Sequence, residues 1–256
     1  MHGHVAVVTG TGPGVGRACA EAFCREGADV VIAARDEARL AALAADLRAS
    51  FPGATVDTRC FDLTDASSCR ALIADVEEAI GGVDHLVNVA AAGGGGGALD
   101  TADLDGWRQA FEANVIGTLE LSRSAARSMA DRRAGTIVQI STLGARSLPK
   151  RQAAYTSTKQ AMESASMTLA KEVGPSGVRV NIVVPGYITG EGLDRLVAHS
   201  AETTGEDPAV VSERMASTAS LKRHVDPADI AEAALFLSSE RARCITGVAL
   251  PVTAGQ

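Results

Sequence analysis

Tyr155 and Lys159 are the residues of this chain best suited to acid/base chemistry. Residues four apart share one helix face, so the phenol and the ammonium point the same way. A phenol near pKa 10 is a poor acid at neutral pH, and a cation within about 4–6 Å stabilises its phenolate and lowers that value. The pair offers a general acid/base for a carbonyl or alcohol oxygen, although the same spacing also occurs in ordinary surface pairs. A second pattern, Thr9-Gly10-x-x-x-Gly14-x-Gly16, suits a turn whose backbone N–H groups and following helix N-terminus hold a pyrophosphate. It also suits a turn that merely packs a helix on a sheet. Arg17-Ala18 after Gly16 excludes a Walker loop, which needs Lys-Ser/Thr there. Val15 and Arg17 occupy the places where either register of GxGxxG needs its last glycine.

These residues need elements to position them. Short β-branched runs alternate with longer Ala/Leu/Arg/Glu stretches at helical period, which is the pattern of βαβ units and a parallel sheet. The expected strands are His4 to Thr9, Asp29 to Ala33, Thr55 to Cys60, Val83 to Val89, Thr136 to Ser141, Val178 to Val184 and Val248 to Val252. Helices are expected to start near Gly14, Glu37, Asp65, Asp103, Ala153 and Asp226, with long ones from about Asp103 to Met129 and Ala153 to Val173. No repeat and no Pro/Ser-rich linker divides the 256 residues, so the expectation is α/β: a single domain with a Rossmann-type, doubly wound parallel sheet flanked by helices. Two stretches break the alternation: the glycines Gly93 to Gly97, and a polar, poorly periodic insertion at about 190–224. In an open α/β sheet such segments lie over the carboxyl ends of the strands, where ligands bind, unless they are plain surface loops. Apolar residues of the insertion, among them Leu193, Val197, Val211 and Met215, suit either a pocket wall or amphipathic helix packing. His224, with Lys222 and Arg223, suits either an anion-binding cluster or a solvated turn.

Composition narrows the partners. Twenty-four Lys and Arg against 31 Asp and Glu give a net charge of −7, a field that repels phosphate backbones and anionic lipid, so no nucleic acid and no membrane are expected. No run of about 18 apolar residues exists to span a bilayer. The five cysteines are odd in number and lack any CxxC pair, and the first residues do not read as a secretory leader; reduced thiols, a cytoplasmic setting and no metal site are expected. About 20 residues after the glycine turn the second strand ends in Ala34-Arg35-Asp36, where an acid selects ribose hydroxyls or an arginine takes a 2′-phosphate. Arg35 favours NADP(H); Asp36 keeps NAD(H) possible if the strand runs one residue further.

Taken together, these residues resemble the short-chain dehydrogenase/reductase family in its classical form, over nearly the whole chain. Besides Thr9/Gly10/Gly14/Gly16 and Tyr155/Lys159, the likeness rests on Asp62-Leu63, Asn114-Val115-Ile116-Gly117, Asn181, Pro185-Gly186 with Thr189, and Ile245-Thr246-Gly247. The resemblance implies a soluble oxidoreductase that moves a hydride between a nicotinamide cofactor and a small-molecule carbonyl or alcohol substrate, with proton transfer through Tyr155. It implies cofactor contacts at Thr9, Gly10, Gly14, Val15, Gly16, Arg35, Asp62, Leu63, Asn88, Tyr155, Lys159, Pro185, Gly186 and Thr189. In it Lys159 binds the nicotinamide ribose and lowers the Tyr155 pKa, Asn114 holds a relay water, and Asn88 lies beside the cofactor ribose. Asp62 and Leu63 flank the adenine, and Thr189 bonds the carboxamide. Assembly as a homotetramer or homodimer is implied as well.

The chain also departs from the family pattern. The family serine thirteen residues before the tyrosine is Thr142 here, with Ser141 beside it; Thr142 is the favoured hydroxyl, and a one-residue shift of the loop brings in Ser141. The usual Asn-Asn-Ala-Gly is Asn88-Val89-Ala90-Ala91. A dinucleotide-binding protein with little turnover, acting as a sensor or partner subunit, is the alternative, and retention of Asn114, Tyr155 and Lys159 together favours the enzyme.

Overall fold

The computed structural model describes every residue from Met1 to Gln256. Its strands are β1 (Val5–Thr9), β2 (Asp29–Ala34), β3 (Val56–Cys60), β4 (His85–Asn88), β5 (Gly135–Ile140), β6 (Val178–Pro185) and β7 (Ala249–Val252). All pair in parallel, in the order β3-β2-β1-β4-β5-β6-β7. The order reverses between β1 and β4, and Thr9 sits level with both Ala33 and Asn88, so three strand ends open together at that switch point.

The period of two sorts side chains between the faces. Ala6, Val8, Val30 and Ile32 pack with α1 (Val15–Arg25), α2 (Glu37–Ser50) and α10 (Pro227–Ser238), around Phe23, Leu40 and Ile230. Val5, Val7, Val31 and Ala33 face α3 (Ala66–Ile80) and α5 (Thr118–Arg132), around Ile73, Leu121 and Met129. Burial on both faces is why these strands read as unbroken apolar runs. No helix is long and apolar enough to cross a membrane.

Three expectations change. The helix from Asp103 is α4 (Leu104–Phe111), a π-helical segment (Glu112–Gly117) and then α5; π turns slip the hydrogen-bond register and often mark functional positions. The insertion at 190–224 is α8 (Glu191–Thr204) and α9 (Pro208–Ser217), whose Leu193, Val197, Ala201 and Val211 bury one another in a small core of their own. A short α6 (Gly144–Ser147) precedes α7 (Ala153–Val173).

At the amino edge of the sheet the polar side chains around His85 and Arg179 are engaged within the protein. His4 Nδ1 lies 2.9 Å from His85 Nε2 and His85 Nδ1 lies 2.8 Å from Thr136 Oγ1. The two rings are inclined by only 12° with centroids 5.1 Å apart, which with that N···N distance describes an edge-to-edge hydrogen bond rather than a stack. Burial, then the neighbouring His4, pushes His85 down to about 4. Arg179 donates to the carbonyls of Leu237, Ser239 and Ile245, closing the end of α10.

Candidate functional site

The carboxyl edge is built differently. A Cβ on Gly10 would stand 2.4 Å from the Ala90 nitrogen, and one on Gly16 2.3 Å from the Gly10 carbonyl oxygen, so both glycines are required where the turn, the loop after β4 and α1 meet. Gly14 precedes α1, which starts at Val15 with no side-chain cap, so the first-turn N–H groups lack side-chain acceptors. Thr11, 5% exposed, has a buried Oγ1 with no hydrogen-bond partner, and the residue borders a cleft of ≈ 890 Å³ together with Gly10 and Gly12.

Arg35 and Arg39 line the same cleft, and Arg35 forms no salt bridge. β2 runs one residue further than expected, to Ala34, and Asp36 borders the cleft as well; its carboxylate caps α2, accepting from the Arg39 backbone N–H at 3.0 Å, and pairs with Arg39 Nε at 3.2 Å. Across the cleft Asp62 folds onto Thr64, whose backbone N–H and hydroxyl hold its carboxyl below the usual carboxylate range, and Leu63 is buried beside it. Asn88 is turned away: its amide bonds Thr9 Oγ1 and Ser122 Oγ inside the protein, while Val89, Ala90, Ala91 and Ala92 line the cleft instead. Sequence reasoning missed Arg39 and Thr11. The first stands in the opening turn of the helix that follows Asp36, and the second stands directly after Gly10.

Tyr155, Lys159 and Asn114 come together beyond β4 and β5. Lys159 Nζ donates to the Ile140 carbonyl, the last residue of β5, at 2.8 Å and lies 5.9 Å from the Tyr155 ring centroid. The lysine is 4% exposed, and burial pushes it down to about 8. Burial also raises the Tyr155 phenol, opposite to the lowering expected from its lysine. Asn114, on the π-helical segment, accepts from the Ala92 N–H and donates to the Ala92 carbonyl, each at 2.7 Å, and to Thr158 Oγ1 at 2.9 Å. Its amide thereby fastens the loop after β4 to the first turns of α7.

The two candidate hydroxyls separate as extended neighbours must. Ser141 Oγ donates to Glu163 on α7. Thr142 Oγ1 accepts only from the Gly144 N–H, at 3.1 Å, leaving its own proton uncommitted. Leu143 N–H bonds the Pro185 carbonyl at 2.7 Å, tying this loop to the end of β6. Gly186 N–H bonds Val252, and Thr189 bonds the Val225 carbonyl through both its N–H and its hydroxyl. The single bridge Ile188–Val225 thus marks where the chain leaves for α8 and α9 and where it returns. His224 lies on that return, with Nε2 3.0 Å from Ser212 Oγ of α9. The glycines 93–97 join α4 to the start of α7: Gly97 N–H bonds the Arg151 carbonyl, and Gly94 packs on Ala110 and Ala154.

The family described as enoyl-(acyl carrier protein) reductase matches residues 10–256. The chain is 36% identical over 256 residues to 2-(S)-hydroxypropyl-CoM dehydrogenase 3 of Xanthobacter autotrophicus, covering 100% of this chain and 97% of that protein. The chain belongs to the short-chain dehydrogenase/reductase family. Among solved members of that family, L-sorbose reductase from Gluconobacter frateurii, complexed with NADPH and L-sorbose, superposes with TM-score 0.93 at 32% identity, over 100% of this chain and 97% of that one. NAD+-bound xylitol dehydrogenase gives TM-score 0.93 at 26% identity, over 99% of each. As a short-chain dehydrogenase/reductase the chain is an NAD(P)-dependent enzyme acting on CH–OH or C=O groups. Its own residues fit such a cofactor: the orphaned Thr11 hydroxyl, the uncapped start of α1 and the close-approach glycines form a cradle for a pyrophosphate.

Proposed function

We propose that residues 1–256 form one NAD(P)-binding unit that interconverts a small polar alcohol and its carbonyl, with NADP(H) as the preferred cofactor and Tyr155 Oη as the proton donor and acceptor. The observation that carries this reading is Lys159, a buried cation one helical turn from Tyr155, anchored on the last carbonyl of β5 next to Thr142. When bound, the nicotinamide supplies or accepts the hydride. Thr142 Oγ1 orients the substrate oxygen, Tyr155 Oη gives it or takes from it the proton, and the Lys159 ammonium stabilises the phenolate left behind. Asn114 acts by holding the Ala92 loop and Thr158 in place beside Lys159, since its amide is engaged there. Thr189 and the Pro185-Gly186 corner border the nicotinamide end.

Arg35 supports NADP(H), because its guanidinium borders the cleft at the end of β2 without a carboxylate partner, while Asp36 caps α2 and pairs with Arg39. The named activities of xylitol dehydrogenase, L-sorbose reductase and 2-(S)-hydroxypropyl-CoM dehydrogenase support a small polar substrate. Assembly into a homotetramer or homodimer is supported by the part-exposed Phe111 and Ile116 next to α5, and a monomer by light scattering overturns it. The deciding experiment follows nicotinamide absorbance with a panel of polyols and ketoses. Tyr155→Phe should keep the fold and cofactor affinity while turnover falls about 10²-fold or more. A Phe variant that works at the wild-type rate removes Tyr155 from the mechanism.

A further inference from the structure

Glu163 continues the stripe of α7 that carries Tyr155 and Lys159, one more turn along, and is 9% exposed. Its carboxylate accepts from Ser141 Oγ and is clamped by Arg146 of α6, with Nη1 3.2 Å from Oε1 and Nη2 2.9 Å from Oε2. A lysine and a glutamate four residues apart on a helix ordinarily pair directly. Here the carboxylate pairs with Arg146 instead, and Lys159 Nζ stays on the Ile140 carbonyl. We infer that Glu163, held off by Ser141 and Arg146, is a positioning residue that keeps the Lys159 ammonium charged by attraction through space while leaving the protons not given to Ile140 unengaged. The inference rests on the reading of Lys159 and Tyr155 as the proton-handling pair, and it gives Ser141 a task distinct from that of Thr142.

The geometry makes both halves of this arrangement necessary. Burial pushes Lys159 down to about 8, and the charge of Glu163 opposes that push. A direct contact would supply more attraction, but it would draw Nζ down the helix, away from Tyr155 and Ile140. The bidentate guanidinium grip fixes the carboxylate plane and prevents that collapse. The other ionisable groups around Lys159 do not supplant Glu163. Tyr155 is neutral when its phenol is raised, β5 carries no ionisable side chain, and Arg179 of β6 sits at the opposite end of its strand. Arg108 pairs with Asp105, Glu120 pairs with Arg70 and Arg123, and Glu112 is exposed.

The test titrates the lysine directly, in the full chain, from the 13C-labelled side-chain methylene resonance that Lys159→Met removes. Wild type should show a midpoint near 8. Glu163→Gln, which keeps the shape and removes the charge, should lower it by about half a pH unit or more, and Arg146→Gln, which unmasks the carboxylate, should raise it. Opposite shifts from two neighbouring substitutions are something a merely structural contact does not produce. NADPH binding followed by nicotinamide fluorescence from neutral to alkaline pH should weaken at lower pH in Glu163→Gln than in wild type. Unmoved midpoints, or shifts of one sign in both variants, overturn the inference. If Glu163→Gln fails to fold, Arg146→Gln decides alone, with any result other than an upward shift overturning it. A fully active Tyr155→Phe would instead overturn the site reading and leave the lysine titration standing.

Discussion

The two edges of the sheet treat their buried polar groups in opposite ways. At the amino edge, His4, His85 and Thr136 satisfy one another, Asp84 accepts from the Val5 N–H, and Arg179 closes three carbonyls at the end of α10. At the carboxyl edge, donors are left unengaged: the Thr11 hydroxyl has no partner, α1 begins without a side-chain cap, Thr142 only accepts, and Arg35 has no carboxylate. A buried polar group without a partner costs about 1–3 kcal/mol. Apart from one Glu77 carboxylate oxygen near the end of α3, the amino edge engages its polar groups as structure, whereas the carboxyl edge holds donors ready for a ligand.

If the amino edge is purely structural, its pH response should appear in stability and not in turnover. His85 is pushed down to about 4 from its ordinary 6.5, so between those values the unfolded chain binds a proton that the folded one does not. Stability is full above pH 6.5 and falls as pH drops toward 4, by up to about 3 kcal/mol and by roughly 2 kcal/mol between pH 7 and 5. Urea unfolding of wild type and His85→Gln at those two pH values should show a smaller loss in the variant, with equal turnover at pH 7. Parallel losses would show that this histidine does not govern the edge.

The carboxyl edge should respond in the reverse sense. Thr142→Val removes a donor while keeping the branched shape, and turnover should fall about 10²-fold with little change in urea midpoint. Thr142→Ser should stay active, and Ser141→Ala should change neutral-pH turnover little, because its hydroxyl faces Glu163. A dead Ser141→Ala beside an active Thr142→Val would reverse the assignment. Arg35→Ala acts on cofactor choice alone and should weaken NADPH by about 1.5–3 kcal/mol while leaving NADH nearly untouched. Tighter NADH than NADPH binding by wild type would refute the cofactor preference.

What the sequence disclosed follows from the range of the interactions. The strands were legible because burial on both faces leaves them apolar throughout, and each begins and ends within one or two residues of its expected place. Asp65, Asp103 and Asp226 announced helices because a cap is a contact between near neighbours, and all three accept from backbone N–H groups two or three residues on. The helices at 191–217 were hidden: each buries a narrow stripe, Leu193, Val197 and Ala201 in one case, and charged residues on the remaining faces blur the period. The π-helical slip at Asn114 leaves no mark in a sequence that reads as continuous helix. The separation of Ser141 from Thr142 needed the partner, since Glu163 lies 22 residues away and only the docking of α7 against β6 and α6 brings it near. Asn88 was placed beside the ribose from family likeness, whereas its amide is drawn inward by Thr9 and Ser122.

The Ile188–Val225 bridge carries a consequence for descent. The excursion through α8 and α9 leaves and rejoins the sheet at the Ile188–Val225 bridge, and Leu193, Val197, Ala201 and Val211 belong to neither main core; only its last residues, Thr218, Ser220 and Leu221, bond the carboxyl-terminal Ala254, Gly255 and Gln256. Lengthening a closed segment costs little, about 0.6 kcal/mol for each doubling. Deletions, insertions or exchange between Gly190 and Ser217 can therefore accumulate while the sheet, Tyr155 and Lys159 stay as they are. Selection on this segment is in this way decoupled from selection on folding: the excursion is an exchangeable cassette, and the sheet it joins is the inherited part.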